Sequence, residues 1–217
     1  MPILSNDKEN SIVDLERARA RLRSRQGKAS AESLSTELDE IRELLDGGLS
    51  TEARTRLNVV LSAARNQPES LAQARCYLSI ALEMQGHFHE SLDAVSMYED
   101  SRLREKLETS LNVKLRIQMA LAANYNGDHP KAIALLNATL REVGEEGASA
   151  GSLYAALARV YRTISEYPIA RDYSTRALES YRQTGDWRGL AEAYFGLATA
   201  NVHEGNYEFA LARYQGR

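Results

Sequence analysis

Apolar residues recur three and four positions apart along most of the chain, as in Leu153, Leu157, Val160, Tyr161 and Ile164. That spacing puts them on one stripe of a helix. The stripes stop at regular places: Gly48, Gly86, Gly127, Ser165 and Gly205 stand 38, 41, 38 and 40 residues apart. A second track of small residues, Ala53, Ser91, Ala132, Ala170 and Ala210, repeats the same intervals. Two tracks in step over five copies mark an internal repeat.

Each copy predicts a helical hairpin. The turn residue ends the first helix, because glycine adopts helix-terminating backbone conformations at little cost. Proline opens new helices at Pro68, at Pro130 after His129 and at Pro168 after Tyr167; its missing N–H costs nothing in a first turn. The small residue lets the second helix approach the first closely. No hairpin can bury its stripe alone, so the copies must stack. The expected fold is all-α, a stack of helical hairpins near 34–66, 68–101, 107–143, 148–183 and 187–217. Gly144 to Ser152 reads as a flexible joint between copies.

Composition removes other answers. Hydrophobic residues are 43% and charged residues 26%, as in ordinary globular proteins. Only 4 prolines and 13 glycines leave too few turn signals for a sandwich or barrel. A net charge of −3 supplies no field to gather nucleic acid or an anionic membrane. No apolar run approaches the roughly 18 residues a membrane span needs. Cys76 is the one cysteine, which excludes an intrachain disulfide and, with no secretory pattern at the start, points to the cytoplasm.

The ends differ from the array. Residues 1–33 read as a charged leader or capping helix, with Ile12, Leu15, Ala18 and Leu22 on a thin stripe and arginines at 17, 19, 21, 23 and 25 spread around it. At the other end the second helix of the last hairpin stops short at Arg217. Phe209, Leu211 and Tyr214 are then left without a following copy. Two expectations follow: further repeats or an effector domain beyond Arg217, or self-association through the unfinished hairpin.

The pattern resembles the tetratricopeptide repeat family over roughly residues 34–217. The resemblance rests on dyads such as Leu157-Ala158 and Leu197-Ala198, on Tyr161, and on Ala170 and Ala177 in the following helix. Ser91 and Thr139 replace expected alanines, Ser174 stands where an aromatic is usual, and the proline between repeats is absent. The period of about 40 residues, longer than the usual value of about 34, resembles the extended repeats of bacterial peptide-sensing and transcriptional regulators and of eukaryotic adaptors.

The resemblance implies a right-handed α-α superhelix of about five hairpins whose first helices line an inner groove. The residues it puts there are Lys114, Gln118, Leu121, Asn124 and Tyr125; Arg159, Arg162 and Thr163; Glu192, Phe195, Thr199 and His203; and, from the second copy, Gln73, Cys76, Ile80 and Glu83. Lys114, Arg159 and Arg162 suit carboxylates, Gln118 and Asn124 suit backbone amides, and Tyr125 and Phe195 suit apolar anchors. Arg159 and Arg162 could instead pair with Glu166 and Glu192. The Lys/Asn clamp with which chaperone-binding relatives hold an acidic peptide end is not visible, because Leu121 and Ala155 occupy its places.

No catalytic constellation emerges. His87 and His89 diverge on a helix, while His129 and His203 belong to different copies. Cys76 has no neighbouring histidine to activate it. The expectation is a non-catalytic scaffold with a protein or peptide partner and no metal, cofactor, nucleic acid or membrane. The alternative is the sensory domain of a larger bacterial signalling or transcription protein.

Overall fold

The computed structural model describes residues 32–205. The expectations for residues 1–31 and for the helix carrying Phe209, Leu211 and Tyr214 lie outside them.

The described residues form helices α1 (32–46), α2 (Ser50–Ala63), α3 (Pro68–Met84), α4 (Phe88–Ser96), α5 (Ser101–Arg104), α6 (Thr109–Tyr125), α7 (His129–Val143), α8 (Ala148–Thr163), α9 (Tyr167–Thr184) and α10 (Trp187–His203). No strand occurs among them. All five turn residues take the left-handed conformation, with φ of 79° at Gly48, 77° at Gly86, 86° at Gly127, 64° at Ser165 and 80° at Gly205. Four of the five are glycines, the residue for which that conformation carries no Cβ penalty. Asp128 and Asp186 then accept backbone N–H bonds from Lys131 and Gly189, capping α7 and α10. The small-residue track is wholly buried at Ala53, Ser91, Ala132 and Ala170.

Neighbour packing fixes the direction of curvature. The first helices of successive hairpins touch in order, α3 on α6, α6 on α8 and α8 on α10, whereas α2, α4, α7 and α9 do not pack on one another to a comparable degree. The face whose helices lie closer together is the inside of the bend, so α3, α6, α8 and α10 line the concave wall. An ion pair of 2.5 Å between Arg188 Nη1, at the start of α10, and Asp46 Oδ2, beside the first turn, ties the two ends of the curve together.

Two local readings are corrected. α7 runs to Val143 and α8 starts at Ala148, so the joint shrinks to residues 144–147, with Gly144 and Gly147 at φ of 88° and 85°. Gly151 and Ser152 belong to α8. Gly151 is buried there because a Cβ would lie 2.9 Å from Ser180 Oγ and 3.0 Å from the Tyr181 ring. The second hairpin also departs from a plain helix pair: α4 has only 9 residues, and a 3-10 turn (Met97–Glu99) and α5 follow it. Tyr98 and Leu107, both buried, anchor this broken stretch to the core.

Candidate functional site

The concave wall is crossed by polar links from each first helix to the next. Between α3 and α6, Gln118 Nε2 donates to Ser79 Oγ at 3.0 Å and to Glu83 Oε1 at 2.7 Å. Ser91 Oγ of α4 also donates to Glu83 Oε1, at 3.1 Å. Between α6 and α8, Asn124 Nδ2 donates to Thr163 Oγ1 at 3.1 Å, and Asn124 Oδ1 pairs with His129 Nδ1 at 2.8 Å. Between α8 and α10, Arg159 Nη2 meets Glu192 Oε1 at 2.5 Å, and the Arg162 guanidinium lies 5.8 Å from the centre of the Phe195 ring.

These links sort the residues that the sequence put forward. Gln118 and Asn124 are buried, and their amides are spent inside the protein rather than offered to a guest. Lys114 is exposed near the start of α6, beside a hollow lined by Gln73, Cys76, Tyr77 and Leu111. Tyr125 is half-buried and stacks on Phe88 with centroids 5.2 Å apart. Glu192 and Phe195 are exposed, while Arg159 and Arg162 are half-buried. Of the two outcomes weighed for Arg159, pairing with Glu192 is the one observed. His203 lies at the turn edge, its ring 4.4 Å from that of Tyr167 and nearly parallel to it. The wall therefore gathers Arg159, Arg162, Glu192 and Phe195 at its C-terminal end, with Tyr125 and Lys114 further along.

Electrostatics follow from burial. Burial works against the Arg159 charge, but the Glu192 and Glu83 carboxylates outweigh it and hold the guanidinium above its usual range. Burial pushes the Cys76 thiol up to about 12, which keeps it protonated. Among the described residues no group of three or more His, Cys, Asp or Glu side chains is placed to hold a metal ion, and no helix is long and apolar enough to cross a membrane.

Glu83 is among the residues expected on the groove, but its part as the acceptor for Gln118 and Ser91 was not legible from its own surroundings in the sequence. A register comparison carries the signal: Glu83, Asn124, Arg162 and Val202 each stand three residues before a turn residue. That position leans toward the next first helix, as the bonds from Glu83 to Gln118 and from Asn124 to Thr163 show.

A family model described as tetratricopeptide repeat matches residues 148–215. No curated protein matches the chain. Among solved structures, Bacillus thuringiensis PlcR in complex with the peptide PapR7 and DNA is similar at a TM-score of 0.71 and 14% identity, over 85% of this chain and 69% of that one. The TPR-like repeats of a Podosopora anserina kinesin light chain are similar at a TM-score of 0.54 and 18% identity, over 84% and 92% of the two chains. The apo form of the quorum sensor NprR from B. thuringiensis is similar at a TM-score of 0.55 and 16% identity, over 85% of this chain and 53% of that one. The chain has the fold of the tetratricopeptide-repeat solenoids across its described residues, and residues 148–215 match that family's sequence model.

Proposed function

We propose that this chain is a non-catalytic binding module whose concave wall holds an extended protein or peptide segment. The observation that carries the reading is the cluster at the C-terminal end of the wall. There the Arg162 guanidinium stands beside an exposed aromatic ring, Phe195, and the Arg159–Glu192 pair lies on the same two helices of a preformed surface. Guanidinium groups take carboxylates or backbone carbonyls in fork geometry, and an exposed ring is a ready apolar anchor. A rigid stack of hairpins loses little entropy on binding, which favours affinity from a modest contact area. PlcR, which shares the fold, was solved with a peptide bound.

A regulatory version of this reading draws on a separate observation. The Asp46–Arg188 pair joins the two ends of the curve, and exposed ion pairs of this kind contribute about 1 kcal/mol or less. A guest that spreads or tightens the wall would meet little resistance there, so occupancy could be read out as curvature.

The test is a selection of binders from a random peptide library against the full chain. Arg159→Glu combined with Arg162→Glu is expected to weaken the selected peptides at least about tenfold, the loss of roughly one charge-assisted hydrogen bond, with helicity by circular dichroism unchanged. Affinity that survives this double reversal would move the site off the concave wall.

A further inference from the structure

The two oxygens of the Glu83 carboxylate are treated differently. Oε1 accepts from Gln118 Nε2 of α6 and from Ser91 Oγ of α4. Oε2 takes no hydrogen bond from any described residue. The groups that bond to the carboxylate bring it no positive charge. α4 presents the Ser91 hydroxyl, α6 the Gln118 amide, and α3 itself the neutral Cys76 thiol. The Arg159 guanidinium acts on it from α8, yet is bonded to Glu192. His87 and His89 at the start of α4 are engaged with Glu90 and Asn126. A half-buried carboxylate thus keeps one acceptor oxygen spare between the first helices of two hairpins.

We propose that Glu83 receives a cationic side chain, lysine or arginine, of the bound segment, so that the wall selects peptides carrying a positive charge over α3 and α6. This inference rests on the peptide-binding reading above and specifies its ligand. A charged partner supplies a donor for Oε2 and a positive charge that, unlike that of Arg159, is not shared with Glu192. Arg159, two first helices away, leaves room for an acidic or carbonyl group of the same segment on the far side of α6.

Protonation sharpens the test. Burial pushes the Glu83 carboxyl up to about 7, against the opposing hydrogen bonds from Gln118 and Ser91 and the Arg159 charge. An arriving cation favours the ionised form, so binding expels the proton and strengthens as pH rises through that value. With the carboxylate fully ionised in the complex, affinity gains about tenfold between pH 6 and pH 8.

Peptides selected as above supply the probe, measured by fluorescence polarisation on the full chain. The expected result is a lysine or arginine common to the binders and the tenfold gain with pH. Replacing that residue by glutamine should remove both the affinity and its pH dependence. Glu83→Gln keeps the side chain's size and should do the same to the parent peptide, with the two changes together costing no more than either alone. A pH response that comes from the histidines would persist in Glu83→Gln. Binders with no basic residue, or a pH response that Glu83→Gln leaves in place, overturn this inference alone. The peptide-side substitution keeps the test decisive even if Glu83→Gln disturbs the fold. A library with no binder sensitive to Arg159 and Arg162 overturns the underlying reading, and this one with it.

Discussion

The second hairpin and the last two described first helices solve the same packing problem with opposite chemistry. At the joint of α3 and α4 the small residues are Ser79 and Ser91, whose hydroxyls bond each other at 2.8 Å while buried. In the fourth hairpin the corresponding positions are Ala158 and Ala170, also buried. There closeness comes from glycine: Tyr181 of α9 fills the space between Gly151 of α8 and Gly189 of α10, and Gly196 of α10 faces Ser174. A Cβ at Gly189 would lie 2.4 Å from the Tyr181 ring, and one at Gly196 would lie 2.7 Å from Ser174 Oγ. The contrast also accounts for Ser174, which stands where relatives carry an aromatic, since a ring there would collide with α10. The polar joint holds hydroxyls and a carboxylate in reach of the groove wall, whereas the glycine joint spends everything on contact. One joint keeps polar groups within its packing and the other has no slack.

The largest effect is expected where slack is least. Gly189→Ala gains about 1 kcal/mol of helix propensity but drives a methyl group into the Tyr181 ring. A net loss of about 2 kcal/mol in urea unfolding is expected, and a neutral result would show that Tyr181 moves aside freely. Glu83→Gln probes the polar joint with the opposite sign. The folded carboxyl holds its proton up to about 7, whereas the ordinary value is 4.5. Between those values the unfolded chain ionises first, so the wild type loses stability as pH rises and the loss is complete above about 7. The variant should therefore be more stable than the wild type at pH 8 by about 1–2 kcal/mol, with no advantage near pH 4. A gain that is the same at both pH values would remove the titration as its cause. The smallest effect belongs to the serines. Ser91→Ala leaves Glu83 one donor short and should cost about 1 kcal/mol, while adding Ser79→Ala should cost little further, because the Ser79–Ser91 bond is already gone and Gln118 Nε2, which also donates to Ser79, keeps its bond to Glu83. A double variant markedly worse than the single would mean that the Gln118–Ser79 bond carries stability of its own.

Much of the fold was legible because it depends on local rules. The turn track was found by spacing alone, and each of its members takes a positive φ, including Ser165. Pro68, Pro130 and Pro168 all sit in the first turn of a helix, as their chemistry requires. The break in the second hairpin was less legible, because Met97–Arg104 keeps an ordinary helical composition and turns only to bury Tyr98 and Leu107. Gly151 was misread for a related reason: near Gly144 and Gly147 it looks like linker, and only the Tyr181 ring, distant in sequence, gives it a packing role. Of the residues expected on the wall, Glu192 and Phe195 are exposed and Arg159 and Arg162 half-buried, whereas Gln118 and Asn124 bond to neighbouring hairpins.

By itself the sequence determined the unit, its spacing and its hand-off from helix to turn to helix, because backbone preference, helix periodicity and small-residue spacing act within a few dozen residues. The tertiary structure alone decided which amides are used up between hairpins, which carboxylate keeps a spare oxygen and how Asp46 comes to meet Arg188. Those outcomes depend on how far each hairpin rotates relative to the last. That angle is set by the sum of side-chain contacts across each interface, a quantity no single stretch of sequence contains.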